Sequence, residues 1–245
     1  MKKYYYDLHI HSCLSPCGDD DNTPNNIAGM ATLCGLDVVA LTDHNTSKNC
    51  PAFFEAAKKQ NLIPIAGMEL TTSEDIHVVC LFENLEDAMR FDEYIDKRRI
   101  KIKNRPEIFG HQTVLDGNDE PICEIEALLI NATDISLSGV SETVASFGGI
   151  CYPAHVDREA NGVIAILGDL PKDEGFAFYE LNDSGNAEKY SRRYGIPSDR
   201  FIVSSDAHYL TDMRDKENFF EIEDELQDSA LIRKRLFEIL RRKDI

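Results

Sequence analysis

No apolar run in this chain approaches the roughly 20 residues that a bilayer-spanning helix requires, so no transmembrane segment is expected. The first residues, Met-Lys-Lys-Tyr-Tyr-Tyr-Asp, contain no apolar stretch either, and a secretory signal is not expected there. Positive charge is scarce: 26 lysines and arginines stand against 44 aspartates and glutamates, a formal charge of −18. Such an excess of acid repels polyanions, which argues against binding along long duplex nucleic acid or on an anionic membrane. It leaves room for a small phosphorylated substrate, because bound cations would cancel part of the charge. A disulfide framework is also lacking. Seven cysteines is an odd number, scattered without framework spacing, which points to a reducing compartment and a soluble cytoplasmic protein. There are no long repeats and no low-complexity tracts.

What is present is a succession of short apolar segments ending in polar residues. Seven read as buried parallel strands: Tyr4–His9, Leu36–Thr42, Ile63–Leu70, Ile76–Phe82, Gly149–His155, Ala177–Leu181 and Arg200–Ser205. Helical patterns fall between most of them. In the clearest, Thr23 is the N-cap and Pro24 the first helical residue. Ile27, Met30, Ala31 and Cys34 share one face, and Gly35 is the stop. A second puts Ala187, Tyr190 and Tyr194 on one face and ends at Gly195. The last puts Ile232, Leu236, Ile239 and Leu240 on one face, with basic residues in its final turn. Alternating strand and helix predicts a parallel sheet, and seven strands with no evident edge predict closure into an α/β barrel. At 245 residues one such barrel, 1–245, accounts for the whole chain.

The stretch 83–147 breaks the alternation. It carries a long amphipathic helix, a basic run (Lys97, Arg98, Arg99, Lys101, Lys103, Arg105) and a hairpin signal at Asp116-Gly117-Asn118-Asp119. It reads as an insertion packed over the barrel mouth. The basic run is either a solvated helix face or a patch that steers an anionic substrate.

Six of the seven histidines sit at strand ends. In Asp7-Leu8-His9-Ile10-His11 the two imidazoles share a face, because strand side chains repeat every two residues, while Leu8 and Ile10 turn to the other. His44 follows the second strand in Thr42-Asp43-His44-Asn45. Glu69 ends the third in Gly67-Met68-Glu69-Leu70. His77 stands near the start of the fourth, His155 closes Tyr152-Pro153-Ala154-His155, and Asp206 and His208 lie in Ser204-Ser205-Asp206-Ala207-His208. Imidazoles and carboxylates converging at strand ends are the ligands of a multinuclear divalent-metal site, and barrel active sites lie at that end. Asp43 would orient an imidazole from behind. His111 stands alone and is read as structural.

In this order, these motifs resemble the polymerase-and-histidinol-phosphatase (PHP) family, over residues 7–208. The resemblance implies a distorted seven-stranded (β/α)7 barrel, two or three Zn, Mn or Fe ions, and cleavage of phosphoesters. It implies one metal on His9, His11, Glu69 and Asp206, and a second sharing Glu69 with His77 and His155. A third would use His44, His208 and a residue after the paired histidines. There the chain departs from the family's frequent Ser-Asp-Gly: it reads Ser12-Cys13-Leu14-Ser15-Pro16-Cys17-Gly18-Asp19-Asp20. Cys17 falls where some relatives carry a histidine ligand, and its thiolate would favour zinc. Asp19 and Asp20 are the alternatives.

The mechanism that follows is attack on phosphorus by a water that the cations acidify, with the same cations stabilising charge on the phosphate oxygens. Asp206, His208 or His44 would pass a proton to the leaving oxygen. Arg158 would clamp the phosphate, or is a surface arginine. Arg192 and Arg193 are weaker candidates for the clamp. The expected substrate is a small phosphorylated metabolite or nucleotide. A 5′-3′ exonuclease on short oligonucleotides is the alternative, kept open by the basic run. An amidohydrolase barrel fits less well, since no lysine ends a candidate strand. A metal-stabilised scaffold without catalysis is the non-enzymatic reading.

Overall fold

The structure, a computed structural model, describes residues 1–223 and 228–241. Ten strands and eight α-helices follow one another along the described chain. The order is β1 (Lys2–Ile10), α1 (Pro24–Leu33), β2 (Val38–Leu41), α2 (Cys50–Lys59), β3 (Ile63–Thr71), β4 (His77–Phe82) and α3 (Leu85–Asp96). Then come α4 (Pro106–Phe109), β5 (Thr113–Leu115), β6 (Pro121–Glu124), α5 (Leu137–Ser146), β7 (Ile150–Pro153) and α6 (Val163–Leu167). The rest are β8 (Tyr179–Leu181), α7 (Ala187–Tyr194), β9 (Phe201–Val203), β10 (Phe219–Ile222) and α8 (Ser229–Leu240).

A mixed six-stranded sheet, ordered β10-β1-β2-β3-β4-β7, curls into a half-barrel. β8 and β9 form a separate parallel pair, and β5 and β6 a hairpin. All seven expected strands exist, but they are not all parallel and do not form one closed sheet. β4 runs antiparallel to both β3 and β7, because only the turn 72–76 connects it to β3, too short for a crossover helix. The expected strand at Ala177–Leu181 shrinks to three residues, and β10 adds an antiparallel edge beside β1.

Strand alternation sorts the apolar residues into two layers. Tyr4, Tyr6, Val38, Ala40, Ile63, Ile65, Val79, Leu81 and Tyr152 face inward, with α8 closing the end where β1 and β3 begin. Val39, Leu41, Met68, Val78, Cys80 and Phe82 face outward under α1, α2, α3 and α5. β1 changes layers midway. Its ladder with β2 slips between Asp7 and Ile10, so Leu8 packs inward and Ile10 outward, contrary to the shared face expected for them.

The helix signals hold at three positions. Thr23 caps α1, accepting from Asn26 N–H, Gly35 ends it at φ +72, and α7 ends at Gly195 with φ +67. α8 departs from expectation: it stops at Leu240 without basic residues in its last turn, Arg241 is its C-cap, and the basic residues 242–243 lie outside the described residues. Within 83–147, α3 and α5 are wall helices, burying Ala88, Phe91, Ile95, Val140 and Val144 in the outer layer. The β5–β6 hairpin instead leans on the loop after β1 and on α2, with Leu115 N–H donating to Asn49 at 2.9 Å and Asp119 accepting from Thr23 at 2.6 Å. No helix among the described residues is long and apolar enough to cross a membrane.

If α3 is part of the wall, truncating it must open the core. Phe91 is fully buried, its ring 5.1 Å from Phe82 and 5.4 Å from Phe147. Phe91→Ala should cost about 3–5 kcal/mol by urea unfolding. Ile122→Ala, on the exposed face of β6, should stay within about 0.5 kcal/mol. Equal effects from the two would contradict this assignment.

Candidate metal centre

The strand ends bring the expected residues together. His9 and His11 come from the end of β1, His44 follows β2, and Glu69 lies near the end of β3. His155 follows β7, and Asp206 and His208 follow β9. His77 arrives from an unexpected direction. It is the first residue of β4, and in a parallel strand that end would lie away from the site. Because β4 is antiparallel, His77 pairs with Thr71 and reaches Glu69.

Glu69 is the hub. Its carboxylate is met by His9 at 3.4 Å, His11 at 3.3 Å, His44 at 2.9 Å, His77 at 2.8 Å and His155 at 3.0 Å. Asp206 Oδ1 lies 3.4 Å from His9 Nε2 and 3.3 Å from His11 Nε2. Among the described residues, three sets of donor atoms, each within 4.8 Å of one another, could hold a cation: His9, His11, Glu69 and Asp206; His44, Glu69 and His77; His11, His44 and His208. His155 touches Glu69 without joining a set, and His44 stands between two of them. Cys17 Sγ is 3.2 Å from His44 Nε2, whereas Asp19 spends its side chain on Asp21 N–H, and none of Cys17, Asp19 and Asp20 joins a set. His111 lies apart, 3.7 Å from Glu124.

The hydrogen bonds behind the imidazoles fix which nitrogen faces inward. Ser15 Oγ donates its one proton to Asp43 at 2.8 Å, so it accepts from His11 Nδ1 at 2.9 Å. Asp43 therefore orients His11 through Ser15, rather than its neighbour His44. His9 Nδ1 donates to Glu180 at 2.8 Å, and His208 Nδ1 to the Asp206 carbonyl at 2.9 Å. His9 and His11 in this tautomer both aim lone pairs from Nε2 at the centre, where the two nitrogens stand only 3.1 Å apart. Two facing lone pairs repel unless a cation lies among them. Glu69 Oε2, Asp206 Oδ1 and His44 Nδ1 are buried and make no hydrogen bond, as donor atoms aimed at a cation would be. The donor set fits divalent metals.

Without metal, protons take the cations' place. Burial disfavours charge on His11, but Asp206 and Glu69 outweigh it and raise the imidazole to about 9. Burial of His44 is likewise outweighed, by Cys17 and Glu69, and it also rises to about 9. Burial opposes the charge on Glu69 and Asp206 too, yet surrounding imidazoles hold both carboxyls well below their ordinary range. Burial and the neighbouring His11 push His208 down to about 3.

Above the cluster, His44, His77, His155, Arg158 and His208 line a pocket of about 100 Å³. Arg158, Asp206 and His208 also border a broader cleft of about 650 Å³ that includes Cys17, Tyr209 and Arg214. Arg158 is half-exposed and pairs with Asp206 Oδ2. Arg192 and Arg193 are directed elsewhere, to Glu188 and over Tyr194. The basic run borders neither cavity: Arg98 pairs with Asp134, Lys101 with Asp96, and Arg99 is buried against Asp96. The sequence reading missed Ser15, Glu180 and Arg214. Glu180 left a signal, a carboxylate within the apolar segment Phe-Ala-Phe-Tyr-Glu-Leu.

A half-barrel whose strand ends converge on imidazoles and carboxylates has the ligand types of a divalent-metal site. Residues 7–166 match the PHP domain, and the chain belongs to the PHP domain family. An uncharacterized protein of Methanocaldococcus jannaschii, MJ1587, is 32% identical over 143 residues, 55% of this chain and 78% of that protein. The 5′-3′ exoribonuclease of Haemophilus influenzae is 31% identical over 121 residues, 46% of this chain and 43% of its own length. The lesion-specific endonuclease PfuEndoQ of Pyrococcus furiosus superposes with a TM-score of 0.61 at 18% identity, covering 99% of this chain and 57% of the endonuclease chain, a likeness of fold.

The proton-filled centre has a measurable signature. His11 and His44 are raised above 6.5 in the fold, so their stabilising contribution is complete below pH 6.5 and is lost as pH rises to about 9. His208, held low, costs stability as pH falls below 6.5. The Tm of metal-free protein should therefore be highest near pH 6.5 and fall towards pH 9. Adding Mn²⁺ or Zn²⁺ at pH 7.5 should release protons and flatten the alkaline limb. A flat metal-free profile, or metal uptake without proton release, would contradict this account.

Proposed function

We propose that the protein is a phosphoric ester hydrolase that uses two or three divalent cations (Zn, Mn or Fe) on a small phosphorylated metabolite or nucleotide. The observation that carries this reading is the pair of Nε2 atoms of His9 and His11, 3.1 Å apart and flanked by Glu69 and Asp206. His9, His11, Glu69 and Asp206 form the first metal-binding set. Glu69, His77 and His155 form the second, and His44, His208 and Cys17 the third. Cations held there supply Lewis acidity for the phosphate oxygens and lower the pKa of water.

The chain's own groups do the rest. Arg158 stands at the mouth and grips the phosphate, exchanging Asp206 for the incoming anion. Asp206, His208 and His44, which line the pocket above the cluster, are the groups placed to pass a proton to the leaving oxygen. In architecture we read β1, β2, β3, β4, β7, β8 and β9 as the staves of a distorted seven-stranded barrel. The Ile10–Ala207 bridge and the bond from Val156 N–H to the Glu180 carbonyl support that closure. The β5–β6 hairpin and its flanks are an insertion on the single 1–245 domain.

A second reading, a 5′-3′ exonuclease on short oligonucleotides, is favoured by the broader cleft with Arg214 and Tyr209 and by the kinship with the exoribonuclease. The pairing of the basic run with local acids weighs against an extended strand track.

Elemental analysis and a phosphate-release screen test both readings. The screen takes nucleoside monophosphates, 3′,5′-bisphosphonucleotides, histidinol phosphate and 5′-phosphorylated short oligonucleotides. Two or three metals per chain are expected, with turnover falling on the order of 10³-fold in His9→Ala and Asp206→Ala. Lys97→Glu with Lys103→Glu should leave monophosphate turnover within about twofold, and a large salt-dependent loss on oligonucleotides would select the exonuclease. One metal or none, with no turnover after Mn²⁺ or Zn²⁺ is restored, would leave only the scaffold.

A further inference from the structure

Glu180 lies in β8 and is 1% exposed. Burying a carboxylate there is unfavourable unless positive charge and hydrogen bonds offset it. Its Oε1 has no hydrogen-bond partner. Its Oε2 accepts from His9 Nδ1 at 2.8 Å and from the main-chain N–H of His155 at 3.1 Å. The Glu180 carbonyl in turn accepts from Val156 N–H at 2.8 Å. The residue thus holds the N–H groups on both sides of the His155 α-carbon. His155 needs holding, because its φ is +26, a conformation that a residue with a side chain rarely adopts.

The two histidines reach different parts of the cluster. His9 stands with His11 and Asp206, whereas His155 reaches Glu69 beside His77. His11 is oriented by a neutral hydroxyl and His208 by its own main chain. His9 alone among them donates directly to a carboxylate.

We infer that Glu180 is the positioning residue that joins the two halves of the metal centre. It locks His9 in the Nδ1–H tautomer so that Nε2 points inward, and it fixes the strained backbone that carries His155 towards Glu69. The inference rests on the metal-centre reading above. A carboxylate behind an imidazole also raises the basicity of the nitrogen facing the metal, and loss of such a partner typically weakens metal binding about 10–100-fold.

The test uses the full chain with Glu180→Gln, Glu180→Leu and, as control, Asp206→Asn. Glu180→Gln keeps an acceptor oxygen and removes the charge. Glu180→Leu removes both at similar bulk. Metal-free proteins are titrated with Mn²⁺ against a chelator, and the His9 Nδ1–H proton is followed by NMR. Glu180→Gln should bind about 10-fold more weakly and shift the His9 resonance upfield. Glu180→Leu should bind about 100-fold more weakly at two sites together and lose that resonance. Wild-type affinity and stoichiometry in both Glu180 variants, with metal lost in Asp206→Asn, overturns the inference and leaves the metal centre standing. Wild-type binding in Asp206→Asn as well overturns the metal-centre reading, and this inference with it. Should Glu180→Leu fail to unfold cooperatively, Glu180→Gln decides alone, since its shape is native.

Discussion

Two imidazole nitrogens, 3.1 Å apart and each presenting a lone pair, set the terms for the rest of this structure. Neutral and unaccompanied, they repel. They can stay where the chain puts them only if positive charge, protonic or metallic, sits among them. The neighbouring carboxylates of Glu69 and Asp206 bear the complementary demand, because two buried anions close together also need a cation. The cluster is thus stable only as a whole. Its parts make sense as a cradle for charge and not as separate core residues.

Holding such a cluster requires backbone that regular strands do not supply. β1 slips its register between Asp7 and Ile10, and His9 and His11 then converge while Leu8 and Ile10 go to different layers. β4 reverses direction, which brings a residue at a strand's beginning to the end where the others finish. Asn45, His155 and Asp206 all take positive φ around the site. Each of these departures is tied down. Asn45 donates to the Leu129 and Asn131 carbonyls and accepts from Thr71, and Asp206 is gripped by Arg158. Strain concentrated at a functional site persists only where the surroundings over-determine it.

Most of the cluster was legible in the sequence because imidazoles and carboxylates at the ends of apolar strands are chemically conspicuous. A histidine at the end of an apolar strand has few other reasons to be there, and His9, His11, His44, Glu69, Asp206 and His208 meet as their motifs predict. The supporting atoms were harder to see. Ser15 is an ordinary serine until its one proton is assigned to Asp43, and that assignment needs coordinates. The strand directions were misread for a related reason. Parallel and antiparallel buried strands have the same apolar pattern, and only the short turn 72–76 betrayed β4. The stretch 83–147 was set apart as an insertion because it breaks the alternation of strand and helix, yet the amphipathic helix recognised there packs Phe91 and Ile95 like any wall residue.

The distribution of positive charge decides what kind of substrate suits this acidic chain. Along 97–105, Arg98, Arg99 and Lys101 are engaged by Asp134 and Asp96, so much of that run's field is cancelled where it arises. Arg158 and Arg214 instead border the cleft beside the cluster. A chain with formal charge −18 offers a polyanion little purchase over most of its surface. Under the proposed function, a compact anion would have to meet favourable potential only over the few ångströms spanned by bound cations and these two arginines. The acidity of the whole and the charge of such cations would then act together, favouring one small phosphoester or the end of a short strand over long nucleic acid.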